Sequence, residues 1–418
     1  MAVMIFARPD GQWFDFPPLE MAAQSGNLLL RPGKADLLPL PEGATLTLMP
    51  NAAAVGFDRE SGEFLQVDEN PYKKKAEPVY AVAALLPQGF TRTLLPAAVC
   101  SGEPLPLLGY TAVGVEKGKL VVAALASDEH RRWHPRHFNG ANLPMLVEQR
   151  QAEFPGNRLI SQLSRCSLEY GCFTAQNIIY RRWEGGLPVS PACNAACLGC
   201  ISERQPGGPP APQQRITCSP SAEEVAVVAI AHLSQAADAM VSFGQGCEGE
   251  PLLAAPLICE AIRLIRAKTR RGLININTNG GDTQAFTGLI AAGLDSASVS
   301  LFSAVHADYL AYHRPKNFTL DDVCGSLAAA QEKQVPVALN LLTYPGFSDD
   351  EQQVAALIEL LGRYDVAQLQ LRNLNCDPRL MERFCAGKKP LGIRRMIESL
   401  QRELTQLQIG SYSHDLRR

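Results

Sequence analysis

The sequence predicts a body of parallel α/β units preceded by a β-rich domain. Three observations lead there. Strand-like and helix-like segments alternate from roughly residue 186 to 375. The residues before about 125 form short apolar or alternating runs separated by Pro and Gly. A cysteine triplet, Cys193, Cys197 and Cys200, stands where the alternating part begins.

In the N-terminal part, Ala44 to Met49, Tyr80 to Leu86, Thr111 to Val115 and Leu120 to Leu125 read as strands, with a hairpin turn at Lys117-Gly118. From about Ala126 to Arg182 the chain turns helical. Pro144 to Phe154 is a helix by pattern, because proline is tolerated in a first turn, and Pro155 stops it. The expected division is a β-rich domain over 1–125, a helical bridging segment over 126–185, and the α/β body with a C-terminal helix over 186–418.

The alternation is read as six strands with Leu187 to Ser190 as the first. Ser221 caps a helix from Ala222 to Ala236, with Glu224 completing a capping box. The strand Ala239 to Phe243 follows, then the loop Gly244 to Pro251 and a helix through Leu252 to Ala267. Gly272 to Asn277 alternates as a strand and stops at Thr278-Asn279-Gly280-Gly281. A helix over Gln284 to Ala292 leads to the strand Ser296 to Leu301, and Thr319 caps the next helix. The strand Pro336 to Leu342, a helix opened by Ser348 or Asp349, and the strand Val366 to Leu371 complete the series. Such alternation calls for a parallel sheet, and the loops after its strand ends are where ligands bind.

Composition narrows the function. The 418 residues are 46% hydrophobic, enough for a sizeable core in each domain, and carry a net charge of −3. That balance argues against broad electrostatic capture of nucleic acid. Two local basic runs, Lys73-Lys74-Lys75 and His130 to His137, are placed to touch RNA, though such runs are more often solvated loops. The sequence shows neither a membrane-spanning apolar stretch nor a signal peptide, so a reducing cytoplasm is the expected compartment.

The cysteine spacing is the most specific signal. Cys193-Asn194-Ala195-Ala196-Cys197-Leu198-Gly199-Cys200 suits a tight loop presenting three thiolates to one side, where a cubane iron-sulfur cluster would keep one iron without a protein ligand. Structural zinc wants a closed four-ligand set, and no fourth ligand is near in sequence. A disulfide framework does not suit twelve cysteines scattered along a long chain without secretory context.

The triplet resembles the signature of the radical S-adenosylmethionine (radical SAM) enzymes. The resemblance implies a partial (β/α)6 barrel of parallel strands and a 4Fe-4S cluster on Cys193, Cys197 and Cys200. It further implies reductive cleavage of S-adenosylmethionine to a 5'-deoxyadenosyl radical that abstracts hydrogen from a substrate, and a reducing partner such as flavodoxin or ferredoxin. Where the family often has an aromatic residue before the last cysteine, this chain has Gly199. Gly249-Glu250-Pro251 resembles the family's Gly-Gly-Glu element that contacts the cofactor, with Glu248 in place of the first glycine. By position, Asn279, Ser300, Asn340 and Arg314 correspond to further cofactor contacts, and a planar guanidinium suits a carboxylate.

Cys247 lies in the same loop and is the candidate catalytic thiol, as a hydrogen-atom donor or radical relay; it can equally ligate a second cluster or simply pack. Cys166, Cys172, Cys218 and Cys376 are the other candidates for an auxiliary iron-sulfur cluster. The substrate is read as protein or peptide, with RNA as an alternative. A cluster carrier or scaffold without S-adenosylmethionine turnover is the competing reading.

Overall fold

The computed structural model describes residues 1–129 and 131–417, so His130 of the basic run lies outside the described residues. The chain divides into two compact units.

The first unit comprises Met1–His130, Leu342–Ile358 and Leu371–Thr405. Its centre is an 11-stranded antiparallel sheet. Alternate residues bury opposite faces: Met4 and Phe6 join one core with Ala81 and Ala83, while Ile5 joins another with Val82, Val113 and Val122. The expected hairpin is present, Val113–Glu116 pairing with Lys119–Ala126 in the register Glu116↔Lys119. Lys117 (φ 51°) and Gly118 (φ 73°) both take positive φ, as a two-residue turn between twisted strands requires. Arg92 is 1% exposed in this unit. Its guanidinium donates to the carbonyls of Leu374 (2.6 Å), Tyr110 (3.3 Å) and Thr343 (3.5 Å) and lies 5.3 Å from the Tyr344 ring.

The second unit comprises Arg131–Leu341, Glu359–Gln370 and Gln406–Arg418. It opens with three helices, α1 (Leu143–Glu153), α2 (Arg158–Glu169) and α3 (Phe173–Tyr180). Seven parallel strands then follow in chain order and curl into a half-barrel: β1 (Arg182–Gly186), β2 (Ala237–Phe243), β3 (Leu273–Thr278), β4 (Ser296–Leu301), β5 (Val337–Thr343), β6 (Val366–Asn373) and β7 (Gln408–Gly410). The intervening helices are α4 (Ala222–Gln235), α5 (Ala255–Lys268), α6 (Thr283–Ala292), α7 (His306–His313), α8 (Leu320–Glu332) and α9 (Glu351–Arg363). Ser221 and Glu224 form the expected capping box on α4, and Thr319 caps α8.

The strands alternate cleanly. Val241, Phe243, Ile274, Ile276, Val299, Leu339 and Leu369 form the buried apolar face that the helices cover. Ser242, Asn275, Ser298, Asn340, Gln368 and Gln370 form a buried polar inner face. Part of that face is a hydrogen-bonded row in which Ser242 donates to Glu184, Asn275 to Ser242, and Ser296 to Asn275.

Two expectations need correction. The first strand is Arg182–Gly186, not Leu187 to Ser190. Gly185 lets this strand pass where a β-carbon would stand 2.2 Å from Ile178, and the N–H groups of Val189 and Ser190 go to the Glu248 carboxylate instead of a ladder. Helix α9 begins behind Asp350, since Asp349 is turned to the N–H groups of Gly346 and Gly392. Strand β7 and helix α7 were not anticipated. Among the described residues no helix is long and apolar enough to cross a membrane.

Candidate active site

The cysteine loop follows β1 and is shaped by its neighbours' backbone. A helix leaves its last carbonyls without intrahelical partners. Those of Tyr312 and His313, at the end of α7, accept from Leu198 N and Ala196 N, both at 3.1 Å. On the other side Glu250 N donates to Ala192 O at 2.8 Å and Gly249 N to Ser190 O at 2.7 Å. Cys193, Cys197 and Cys200 are each partly buried, and each is close enough for its charge to act on another's. Burial, then the neighbouring thiols, pushes Cys197 well up, and burial raises Cys193, so these sulfurs become thiolates readily only with a cation to hold.

Polar groups lie within hydrogen-bonding distance of two of these sulfurs. His313 Nδ1 is 3.3 Å from Cys197 Sγ, Ser202 Oγ is 3.5 Å from Cys200 Sγ, and Arg215 Nη2 is 3.9 Å from the same atom. His313 is fully enclosed, and burial pushes its pKa down to about 3. Its Nε2 has no partner among the described residues. Sequence reasoning singled out its neighbour Arg314 and passed over the histidine.

The loop after β2 braces this arrangement. Glu248 is 3% exposed, and its carboxylate accepts from Val189, Ser190, Gly244 and Gln245 N–H groups at 2.5–2.9 Å. It is therefore a strut between the two loops. A β-carbon on Gly249 would stand 1.9 Å from Ala192 O, so glycine is needed here for contact with the cysteine loop. Glu250 accepts from Thr278 Oγ1 (2.5 Å), Asn279 N (2.8 Å) and Leu252 N (3.0 Å). Burial raises both carboxyls to about 7 despite these donors.

Asn279 closes the ring of contacts, donating through Nδ2 to Asn194 Oδ1 of the cysteine loop at 2.6 Å. Ser300 and Asn340 are register partners on β4 and β5, and the pairing Thr278↔Val299 brings Asn279 to the same level. Among the described residues, Asn340 Oδ1 is buried without a hydrogen-bond partner, as is Gln368 Nε2 on β6. Arg314 is exposed at the end of α7 in the left-handed region (φ 46°).

Cys247 is 2% exposed, and its thiol lies close enough to that of Cys166 on α2 to interact with it electrostatically, with Cys172 near both. Cys376 belongs to another setting, beside the Arg92 guanidinium in the first unit. Among the described residues no three His, Cys, Asp or Glu side chains are gathered as ligands of a single metal ion. A cubane differs from an ion in that each thiolate binds its own iron, so its ligands stand further apart. The triplet, the polar groups beside its sulfurs and an Asn340 oxygen unpartnered among the described residues fit a cluster with a polar ligand beside it.

A half-barrel of parallel strands whose first loop offers three thiols defines a thiol-armed α/β barrel protein. Residues 187–358 match the model of the Radical SAM superfamily. No curated protein matches the chain. Solved structures similar to it include SuiB of Streptococcus suis, 12% identical over 66% of this chain and 60% of that one, with a TM-score of 0.39. A radical SAM methyltransferase from Sphaerobacter thermophilus is 14% identical over 55% of this chain and 66% of that one, with a TM-score of 0.38. The FeFe-hydrogenase maturase HydG from Carboxydothermus hydrogenoformans is 14% identical over 64% and 66%, with a TM-score of 0.36. The chain thus spans less than two thirds of the length of SuiB.

Proposed function

We propose that this enzyme reductively cleaves S-adenosylmethionine at a 4Fe-4S cluster held by Cys193, Cys197 and Cys200, and abstracts hydrogen from a peptide or protein substrate. The observation that carries the reading is the three-thiol loop after β1, inside the segment that matches the superfamily. When bound, the cluster supplies the electron that breaks the sulfonium bond; a flavodoxin or ferredoxin type of protein would supply that electron in turn.

The chain's own residues do the positioning. Glu248 and Gly249 hold the cysteine loop against the loop after β2, and Glu250 with Asn279 ties the end of β3 to Asn194. Ser300 and Asn340 offer a hydroxyl and an amide on the inner face for the adenosyl part of the cofactor, and the exposed Arg314 guanidinium suits its carboxylate. Cys247, backed by Cys166, is the candidate thiol for hydrogen-atom exchange. A polar inner face with the unpartnered Asn340 oxygen and Gln368 nitrogen favours a substrate rich in amide donors and acceptors, such as a peptide backbone.

The test is formation of 5'-deoxyadenosine by anaerobically reconstituted protein with dithionite, against a C193A/C197A/C200A variant. Product that depends on the cysteines is expected. A full cluster that gives no product, even with a peptide library present, would favour the carrier reading. Stimulation by RNA in place of peptides would overturn the substrate class.

A further inference from the structure

We propose that His313 and Arg215 are hydrogen-bond donors to the ligating sulfurs of Cys197 and Cys200, and that they raise the reduction potential of the cluster. The inference rests on the cluster reading above and concerns residues outside the thiol triplet.

The geometry at Cys197 is specific. His313 Nδ1 lies 3.3 Å from the sulfur, within reach of an N–H···S bond. The ring is 2% exposed and is fixed by its neighbours, its centroid 4.4 Å from that of Tyr309 and 5.1 Å from that of Tyr312, the latter edge-on. Nε2 is buried and has no acceptor or donor among the described residues. A ring proton therefore has one place where it meets an acceptor, and that place is Nδ1 facing the thiolate. The His313 carbonyl separately holds Ala196 N at 3.1 Å, so the loop's attachment survives loss of the ring.

Cys200 has its own donors. Arg215 Nη2 is 3.9 Å from the sulfur and 3.2 Å from Ser202 Oγ, which is itself 3.5 Å from the sulfur. Glu203, 2.9 Å from the same Arg215 nitrogen, pairs with the guanidinium. Two thiolates thus face a ring N–H and a cation. Donors to ligating sulfur withdraw charge from a cluster and favour its reduced form. Both residues act through the ligands, which makes them positioning residues rather than catalytic ones.

The experiment is a potentiometric titration of the reduced-cluster electron paramagnetic resonance signal in anaerobically reconstituted full-length protein, with iron and sulfide counted first. Wild type is compared with His313→Phe, which keeps the backbone bond and removes the N–H, and with His313→Gln, which restores a donor. The expected result is about a tenfold shift of the reduction equilibrium against reduction in His313→Phe, equal to about 59 mV for one electron, with partial recovery in His313→Gln. An iron-replete His313→Phe with the wild-type potential overturns the inference and leaves the cluster reading intact. Wild type that takes up no iron and sulfide overturns the cluster reading, and the inference with it. Where His313→Phe takes up no iron, Arg215→Met is titrated in its place: a lower potential supports the inference, and an unchanged one overturns it.

Discussion

Each unit buries a charge, and the two charges are of opposite sign. In the β-rich unit the Arg92 cation donates to three carbonyl oxygens, and to no carboxylate among the described residues. In the barrel unit the Glu248 carboxylate is surrounded by four backbone N–H groups. Both groups use one side chain to gather several backbone groups from separate stretches of chain. They differ in what solvent conditions can do to them. A guanidinium stays protonated throughout the physiological range even when burial lowers its pKa, whereas Glu248 titrates near pH 7.

The comparison is broken by removing each group, most severely at Glu248. Glu248→Ala strands four N–H donors, and unfolding by denaturant should show a loss on the order of 4 kcal/mol. Arg92→Met replaces the cation with an apolar chain and leaves carbonyls, which tolerate a missing partner better than N–H groups do; a loss of about 1–2 kcal/mol is expected. Equal losses would mean that the sign of the buried charge is irrelevant. A middle-sized effect is expected of Gly249→Ala, whose new β-carbon meets a backbone oxygen that side-chain rotation cannot move. A loss of about 2 kcal/mol is expected, together with reduced iron uptake, because the displaced atoms belong to the cysteine loop.

The smallest effect is the pH dependence, and it sharpens the contrast. With its pKa raised from 4.5 to about 7, Glu248 binds more proton in the folded chain than in the unfolded one between those values. Its contribution is therefore complete below about pH 4.5 and is lost as pH rises through 7. Glu250 acts in the same direction. Denaturant midpoints across this window should fall with rising pH in wild type and fall less in Glu248→Gln, while Arg92→Met should leave the slope as it is.

The sequence made the barrel legible wherever an apolar row alternated with a polar one, as in Ser296 to Leu301, whose limits agree with β4. It failed where the evidence for a strand was tertiary. Glu184, Gly185 and Gly186 lack a strand-like composition, and they pair as β1 because glycine admits the neighbouring Ile178. The three residues of β7 are too few to show a period. At the site, the thiols and the glycine-rich loop were visible through their spacing. Glu248 was read only as a departure from a glycine, because its role depends on Val189 and Ser190, about sixty residues earlier in the chain. The ring of His313 escaped notice for the same reason, since Cys197 is distant in sequence and no periodic pattern connects the two.

The way the cysteine loop is anchored bears on how this chain can change over generations. Ala196 and Leu198 are fastened through their amides to the last carbonyls of α7, and Ala192 through its carbonyl to Glu250 N. Such fastenings do not read side chains. Drift at Ala196 and Leu198 can therefore proceed without reshaping the loop, whereas one β-carbon at Gly249, fifty residues away, would block the contact. Inheritance of the site is thereby concentrated in the thiols and in the partner loop, and a comparison restricted to the intervening residues of the triplet would underestimate how strictly the geometry is kept.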